Sequence, residues 1–372
     1  MAARVRVLHV IQNLNYGGME RLLADIVRRL DPERFEAHVL ALGYLGRFAE
    51  GLDASGTLHV AGADTKGRFS MVYPAGLARQ IRGIAPDVVH SHSGVWYKAS
   101  KAARMAGVRR VIHTDHGRPN PDPWVGRMIE RAAARRTDVV VAVSDALAAR
   151  MVATVVPRGC AVRVVHNGVD TGLHAPHGDG VGARARLGLP AAAPILASVG
   201  RLEPIKGYDV MVDAFARLRA GWSGSERPVL VVAGDGSARG ALEAAATAAG
   251  VADGVRWLGW RDDIGDLHAA ATLFTMSSRS EGTSVSLLEA MSAGVCPVVT
   301  DVGGNRAVLG AGLAHRLVPS EQPAALAEAW RAALGDGAAR RADGCRARER
   351  VIEAYSLDTM VEAYEGLYLG RD

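Results

Sequence analysis

Residues 273–299 read LFTMSSRSEGTSVSLLEAMSAGVCPVV, and a strand, a loop, a helix and a second strand follow one another within them. Leu273-Phe274-Thr275-Met276 is a short apolar run of strand type, and the small polar residues after it form a loop. Ser284 or Thr283 caps a helix that runs to Ala293, and Gly294 suits the position just past its end. A further apolar run begins at Cys296. Two strands joined through a helix make a parallel pair with a right-handed crossover.

The same alternation extends in both directions. Strand runs are predicted at 5–11, 37–42, 58–60, 87–90, 110–114, 139–143 and 162–165, then at 195–199, 229–233, 255–258, 273–276 and 296–299. Between the first two, Met19, Leu22, Leu23, Ile26, Val27 and Leu30 mark one apolar stripe at helical period. The pattern breaks once, at 171–193, where Gly, Ala, Pro and His dominate and only one short helical stretch fits. That break divides the chain into domains at 1–175 and 176–350, with a terminal segment 351–372 that is helical, carries Tyr355, Tyr364 and Tyr368, and packs back on the first domain. The fold class is therefore α/β, two doubly wound Rossmann-like domains. Open sheets of this kind bind ligands beyond the carboxyl ends of their strands, so two such domains are expected to face each other across a shared cleft.

The 372 residues are 49% hydrophobic, enough for two cores. No apolar run approaches the roughly 18 residues of a membrane span. Met1-Ala2-Ala3-Arg4 leads straight into a strand without an apolar signal region, so a cytoplasmic protein is expected. Cys160, Cys296 and Cys345 are far apart and odd in number, which suits neither a disulfide framework nor a metal motif. The net charge of +5 is spread along the chain. It indicates no nucleic-acid partner and leaves weak attraction to anionic lipid or phosphorylated substrates. Segments 104–110 and 127–136 alternate basic with apolar residues, as a surface touching anionic lipid does.

Chemistry concentrates at strand ends. In Ser280-Glu281-Gly282-Thr283-Ser284-Val285, the amides of Thr283, Ser284 and Val285 at a helix start offer an anion site. Glu281 in the loop can accept hydrogen bonds from sugar hydroxyls, and Glu289, eight positions on, can hold a ribose diol. In Gly200-Arg201-Leu202-Glu203-Pro204-Ile205-Lys206-Gly207, Arg201 and Lys206 can both reach one diphosphate and stabilise its charge as it leaves. Four of the 44 basic residues are lysines, and Lys206 is the only one after Lys101. Gly17 and Gly18 present helix amides after the first strand. Neither they nor Gly234-Asp235-Gly236-Ser237-Ala238-Arg239-Gly240 match the dinucleotide fingerprint, which counts against a dehydrogenase. In His113-Thr114-Asp115-His116-Gly117 a histidine can bond a sugar hydroxyl or move a proton. His90 and His92 fit strand-end packing. Asp262-Asp263 fits a turn and helix cap rather than a metal site.

Together these residues resemble the family-4 retaining glycosyltransferases of GT-B fold, over nearly the whole chain. Gly17-Gly18 is similar to the family's glycine loop, Pro86-Asp87-Val88-Val89-His90-Ser91-His92 to its PDVVHxH strand, and His116-Gly117 to its donor-side histidine. Asn167-Gly168-Val169-Asp170 is similar to its domain junction, and Glu281 to Glu289 to its E-x7-E signature. The resemblance implies a nucleotide-sugar donor, UDP- or GDP-linked, and no cofactor or metal. It implies that Gly200, Arg201 and Lys206 clamp the diphosphate and that Glu281 contacts the transferred sugar. Gly282, Thr283, Ser284 and Val285 line the donor, Glu289 holds the ribose, and backbone near Trp260 and Arg261 frames the base. The first domain is the acceptor side, for a glycan, glycolipid or small molecule. Alternatives of the same fold are a nucleotide-sugar epimerase and a glycan phosphorylase, the latter disfavoured by the scarcity of lysine. A non-catalytic sugar-nucleotide sensor is a further alternative.

Overall fold

The structure is a computed structural model that describes residues 4–15, 17–67, 69–117 and 124–371. The chain forms two compact units, Met1–Gly168 with Leu357–Asp372, and Val169–Ser356. The first division falls at 168/169 rather than 175. Val169 belongs to unit 2, where its N–H donates to the Tyr355 carbonyl and it bridges to Ser356. The stretch from 171 to 193 is likewise packed into unit 2. Its helix Gly180–Arg186 is capped by Asp179, and Arg184 donates to the carbonyls of Ala191, Ala193 and Ala270.

Unit 1 is built on β1 (Val5–Ile11), β2 (Phe35–Ala41), β3 (Thr57–Val60), β4 (Val88–His92), β5 (Arg110–Asp115), β6 (Val139–Ala142) and β7 (Ala161–Val164). These described strands form one parallel sheet in the order β3-β2-β1-β4-β5-β6-β7. Helices cover such a sheet on both faces, so strands are buried along their length: every residue of β4 and of β6 is buried, although β4 carries His90, Ser91 and His92. The helix Gly18–Arg29 follows β1. It buries Leu22, Leu23, Ile26 and Val27, each contributing about 1.5–3 kcal/mol, and places Glu20 in its first turn and Arg28 and Arg29 in its last. The terminal helix Leu357–Tyr368 packs within the same unit. Arg29 pairs with Asp358 and Arg34 with Glu365, both at 2.8 Å, and Tyr364 and Tyr368 are buried.

Unit 2 is built on β8 (Ile195–Val199), β9 (Val229–Ala233), β10 (Val255–Gly259), β11 (Leu273–Met276), β12 (Pro297–Thr300) and β13 (Leu317–Val318). They form a second parallel sheet in the order β10-β9-β8-β11-β12-β13. Trp330 and Phe215 are the largest fully buried side chains of one of its cores. β13 has two residues, too short a run for any periodicity to reveal. Among the described residues no helix is long and apolar enough to cross a membrane.

Candidate active site

In unit 2 the chain builds β8, β9 and β10 outward in one direction, then returns to lay β11 on the other side of β8. The loops leaving β8 and β11 therefore diverge, and the crevice between them is where an open α/β sheet receives ligands. The sequence stretches 200–207 and 277–284 are those two loops.

They are joined by specific contacts. Gly207 has φ 63°, and a Cβ there would overlap the Ser277 carbonyl oxygen, so only glycine allows this approach. The Ser277 hydroxyl donates to the Gly207 carbonyl at 2.8 Å, and the Arg279 N–H donates to the Ile205 carbonyl at 2.9 Å. This fixes the short turn Pro204–Lys206 against the β11 loop. Lys206 Nζ consequently lies 2.7 Å from Glu281 Oε1, an oxygen that also accepts from the Ser278 hydroxyl at 2.6 Å. The side chains of Lys206 and Glu281 are 22% and 7% exposed. From the other side, the glycine turn after β12 closes on the Glu281 loop. Gly303 (φ 53°) lies where a Cβ would overlap the Glu281 carbonyl, and the Gly304 N–H donates to the Gly282 carbonyl at 3.0 Å.

Arg201 stands at the carboxyl end of β8, exposed, with no ion pair or side-chain hydrogen bond to another described residue. Its neighbour Glu203 makes no hydrogen bond to it and interacts with it through charge alone, since that carboxylate accepts from the Ser237 hydroxyl at 2.8 Å and the Ser237 N–H at 3.1 Å. Those bonds hold the Glu203 carboxyl below its usual pKa. Gly200 rests on the Tyr208 hydroxyl, whose pKa burial pushes up, so the phenol stays neutral there.

The helix Val285–Ser292 begins at Ser284, whose hydroxyl accepts from the Leu287 N–H. Thr283 and Ser284 are buried, and Gly282 and Val285 are partly exposed at the same helix start. Glu289 is 3% exposed, with His174 Nε2 at 3.6 Å from its Oε1. After β10, Trp260 is 44% exposed. The guanidinium of Arg261 is paired with Asp263, which raises the pKa of the arginine and lowers that of the carboxylate. Asp263 occupies the cap position of the helix Ile264–Ala270, but its side chain makes no cap hydrogen bond. Asp263 thus stands at the expected cap position, while its carboxylate goes to a guanidinium two residues away rather than to a neutral amide.

Three predicted site residues belong to unit 1. Gly17 caps the helix Gly18–Arg29 and Gly18 is its first residue, both just beyond β1. His116 follows β5, with its ring Nε2 at 3.2 Å from His92 Nδ1 and its pKa lowered by burial to about 4. His113 is a packing residue, fully buried, stacked on Trp96 at 4.1 Å and bonded to Ser91. Among the described residues, His9, His90 and His92 are the one group of three potential ligands close enough to hold a metal ion.

Two family models cover most of the chain. "Glycosyl transferases group 1" matches residues 182–350, and "Glycosyltransferase Family 4" matches residues 16–173. A D-inositol 3-phosphate glycosyltransferase of Kineococcus radiotolerans is 32% identical over 71% of this chain and 67% of its own length. The chain belongs to the family-4 glycosyltransferases of GT-B fold. A relative of the same description from Streptomyces scabiei is 29% identical over 86% of this glycosyltransferase and 78% of its own length. The crystal structure of Anabaena Alr3699/HepE in complex with UDP-glucose superposes with a TM-score of 0.83 at 20% identity, covering 99% of this chain and all of that one. WaaG, a glycosyltransferase of lipopolysaccharide biosynthesis, has a TM-score of 0.75 at 18% identity over 98% of this chain and 100% of its own.

Sequence spacing missed two side chains that contact the candidate residues of this glycosyltransferase, one at Glu281 and one at Glu289. Ser278 gives no signal of its own, being one of several loop serines. His174 meets Glu289 from a stretch that reads as linker. Only the folded proximity of residues far apart in sequence identifies it.

Proposed function

We propose that this glycosyltransferase transfers a sugar, with retention at the anomeric carbon, from a nucleoside-diphosphate sugar to a glycan, glycolipid or small-molecule acceptor. The donor is UDP- or GDP-linked, and no divalent cation or other cofactor takes part. The observation that carries this is that Lys206 meets Glu281, and that Arg201 follows the end of β8, at the β8–β11 switch point. Two cations against one carboxylate leave a net positive site for a dianionic diphosphate. The amides of Thr283, Ser284 and Val285 add the positive end of a helix. UDP and UDP-glucose in the crystals of the structurally similar HepE support the same donor class.

With donor bound, Arg201 and Lys206 hold the diphosphate beside Gly200. Glu281, fixed by Lys206 and Ser278, accepts hydrogen bonds from the transferred sugar next to Gly282. Glu289 holds the ribose diol, and backbone at Trp260 and Arg261 frames the base. The bond between C1 and the phosphate oxygen breaks, and the electron pair leaves with the diphosphate through an oxocarbenium-like transition state. The acceptor hydroxyl attacks C1 on the face the diphosphate is leaving, and its proton passes to the departing phosphate oxygen. Unit 1 serves the acceptor, and its Gly17, Gly18 and His116, at strand ends, are donor-side residues. The test is a panel of nucleoside-diphosphate sugars read by thermal stabilisation and nucleoside-diphosphate release. Stabilisation and turnover by a member of the panel are expected, and no stabilisation by any of them contradicts the proposal. A change in the sugar of the donor without an acceptor would instead assign an epimerase.

The enzyme works in the cytoplasm and touches anionic lipid. On the helix Trp124–Ala134, the exposed Trp124, Val125, Met128 and Ile129 share one face, beside exposed Arg127 and Arg131. An apolar face flanked by arginine suits an anionic membrane surface. Segment 104–110 takes no part, because Arg104 is bonded to Asp138 and the Arg136 carbonyl, and Arg110 to the Leu367 carbonyl. Co-sedimentation with anionic liposomes that weakens with salt is expected, and no binding at low salt removes the membrane role.

A further inference from the structure

Parallel pairing sets His9 of β1 beside His90 of β4, and His92 beside Thr114 of β5. Residues two apart on a strand share a face, so His9, His90, His92 and Thr114 lie together on one side of the sheet. Tyr364 and Tyr368 of the terminal helix pack over them. His9 Nδ1 lies 3.2 Å from His92 Nε2, and His92 Nδ1 lies 3.2 Å from His116 Nε2. Three imidazoles thus form one hydrogen-bonded chain. His90 stands outside it, bonded to the Tyr368 hydroxyl at 2.8 Å and the Thr114 hydroxyl at 2.7 Å. With both its nitrogens so engaged, the trio is not arranged as a metal centre.

Burial lowers the pKa of His9 to about 3 and of His116 to about 4, and lowers that of His92 well below its ordinary value. All three rings are therefore neutral at neutral pH, each with one N–H and one bare nitrogen. Each link needs one donor and one acceptor, so the tautomer of one ring fixes the other two. Only two settings exist. If His9 carries its proton on Nδ1, His92 does too, and His116 must carry its own on Nδ1. If the direction reverses, His116 Nδ1 is bare and His9 carries an Nε2–H.

Among the described residues the two end atoms, His9 Nε2 and His116 Nδ1, are buried without a hydrogen-bond partner. His9 is fully buried, whereas His116 is partly exposed at the carboxyl end of β5. A buried N–H without an acceptor is the rarer defect, and a bare acceptor nitrogen is better tolerated. The reversed setting strands an N–H in the core. The first setting strands one on His116 Nδ1, a covered atom of a partly exposed residue at the ligand-receiving edge of the sheet.

We propose that His9 and His92 are positioning residues that hold His116 as its Nδ1–H tautomer, so that His116 donates a hydrogen bond to a substrate oxygen and does not act as a base. The identity of the recipient rests on the transferase function above, whereas the tautomer does not. The test is long-range proton–nitrogen NMR of the full chain with nitrogen-15 histidine at neutral pH, the His116 signals being assigned by their loss in His116→Gln. A protonated Nδ1 and a bare Nε2 on His116 are expected. His9→Asn keeps an N–H at the Nδ1 position and should keep both the tautomer and the rate. His9→Leu should release His116 to a mixture of tautomers and lower kcat roughly tenfold, the loss of one transition-state hydrogen bond, with KM for the donor little changed. An Nε2–H on His116 in the unaltered protein overturns the proposal, as does an unchanged tautomer in His9→Leu. Both readouts stand even if no transfer is detected, so failure here is distinguishable from failure of the transferase assignment.

Discussion

Lys206→Ala removes one cation from the proposed diphosphate site and the partner of Glu281 in a single change. The two losses have different sizes. Taking away a donor aimed at developing charge costs about 2–4 kcal/mol of transition-state stabilisation, which lowers kcat by roughly 30- to 1000-fold. Breaking a buried ion pair costs about 3–5 kcal/mol of stability when the remaining charge has nothing else. Here Nζ is partly solvated and the Ser278 hydroxyl still donates to Glu281. The expected loss of stability is therefore only about 1–2 kcal/mol. Adding Glu281→Gln removes the stranded carboxylate, so the double variant should regain stability while remaining inactive. The assay is nucleoside-diphosphate release at saturating donor, run beside denaturant unfolding of each variant. Lys206→Ala turning over within about threefold of the unaltered enzyme would refute the diphosphate role. A double variant less stable than Lys206→Ala would refute the pairing argument.

On the proposal that side chains and helix amides supply the charge, exhaustive EDTA treatment should leave the rate unchanged, and loss of activity restored by magnesium or manganese would assign that work to a cation. Glu289→Ala should raise KM for the donor more than it lowers kcat, as removal of a ribose contact does, and an equal fall in kcat with KM unchanged would place Glu289 at the reacting sugar instead. Stability should fall as pH drops from about 6.5 to about 5, above the carboxylate range. His9 and His116 have folded pKa values of about 3 and about 4, so the unfolded chain binds protons in that window that the folded chain refuses. Each contributes a slope of up to about 1.4 kcal/mol per pH unit, and His9→Leu should flatten the curve, which denaturant midpoints across pH will show.

Much of the fold is legible in the sequence because parallel strands are buried on both faces. β6 and β9 read as unbroken apolar runs, and the strands from β1 to β12 lie within a residue or two of their expected positions. What escapes is whatever depends on contacts distant in sequence. His174 looks like linker until it meets Glu289, and the unit boundary falls at 168/169 because Val169 bridges to Ser356. Asp263 reads as a cap until Arg261 takes its carboxylate. His9 reads as one polar residue in a strand, and its link to His92 exists only through the β1–β4 register. By contrast, the two loops that carry Arg201, Lys206 and Glu281 are legible in advance, because each follows a strand that borders the switch point.

The measurement that tests the account most directly is the anomeric configuration of the first product. Real-time proton NMR can follow an α-linked nucleoside-diphosphate sugar as the enzyme transfers it to an acceptor, or to water if none is supplied. Front-face attack at a donor held by Arg201, Lys206 and Glu281 gives the α-configured product before any mutarotation. A first product of β configuration would contradict retention and the same-face geometry on which the assignment of this site rests.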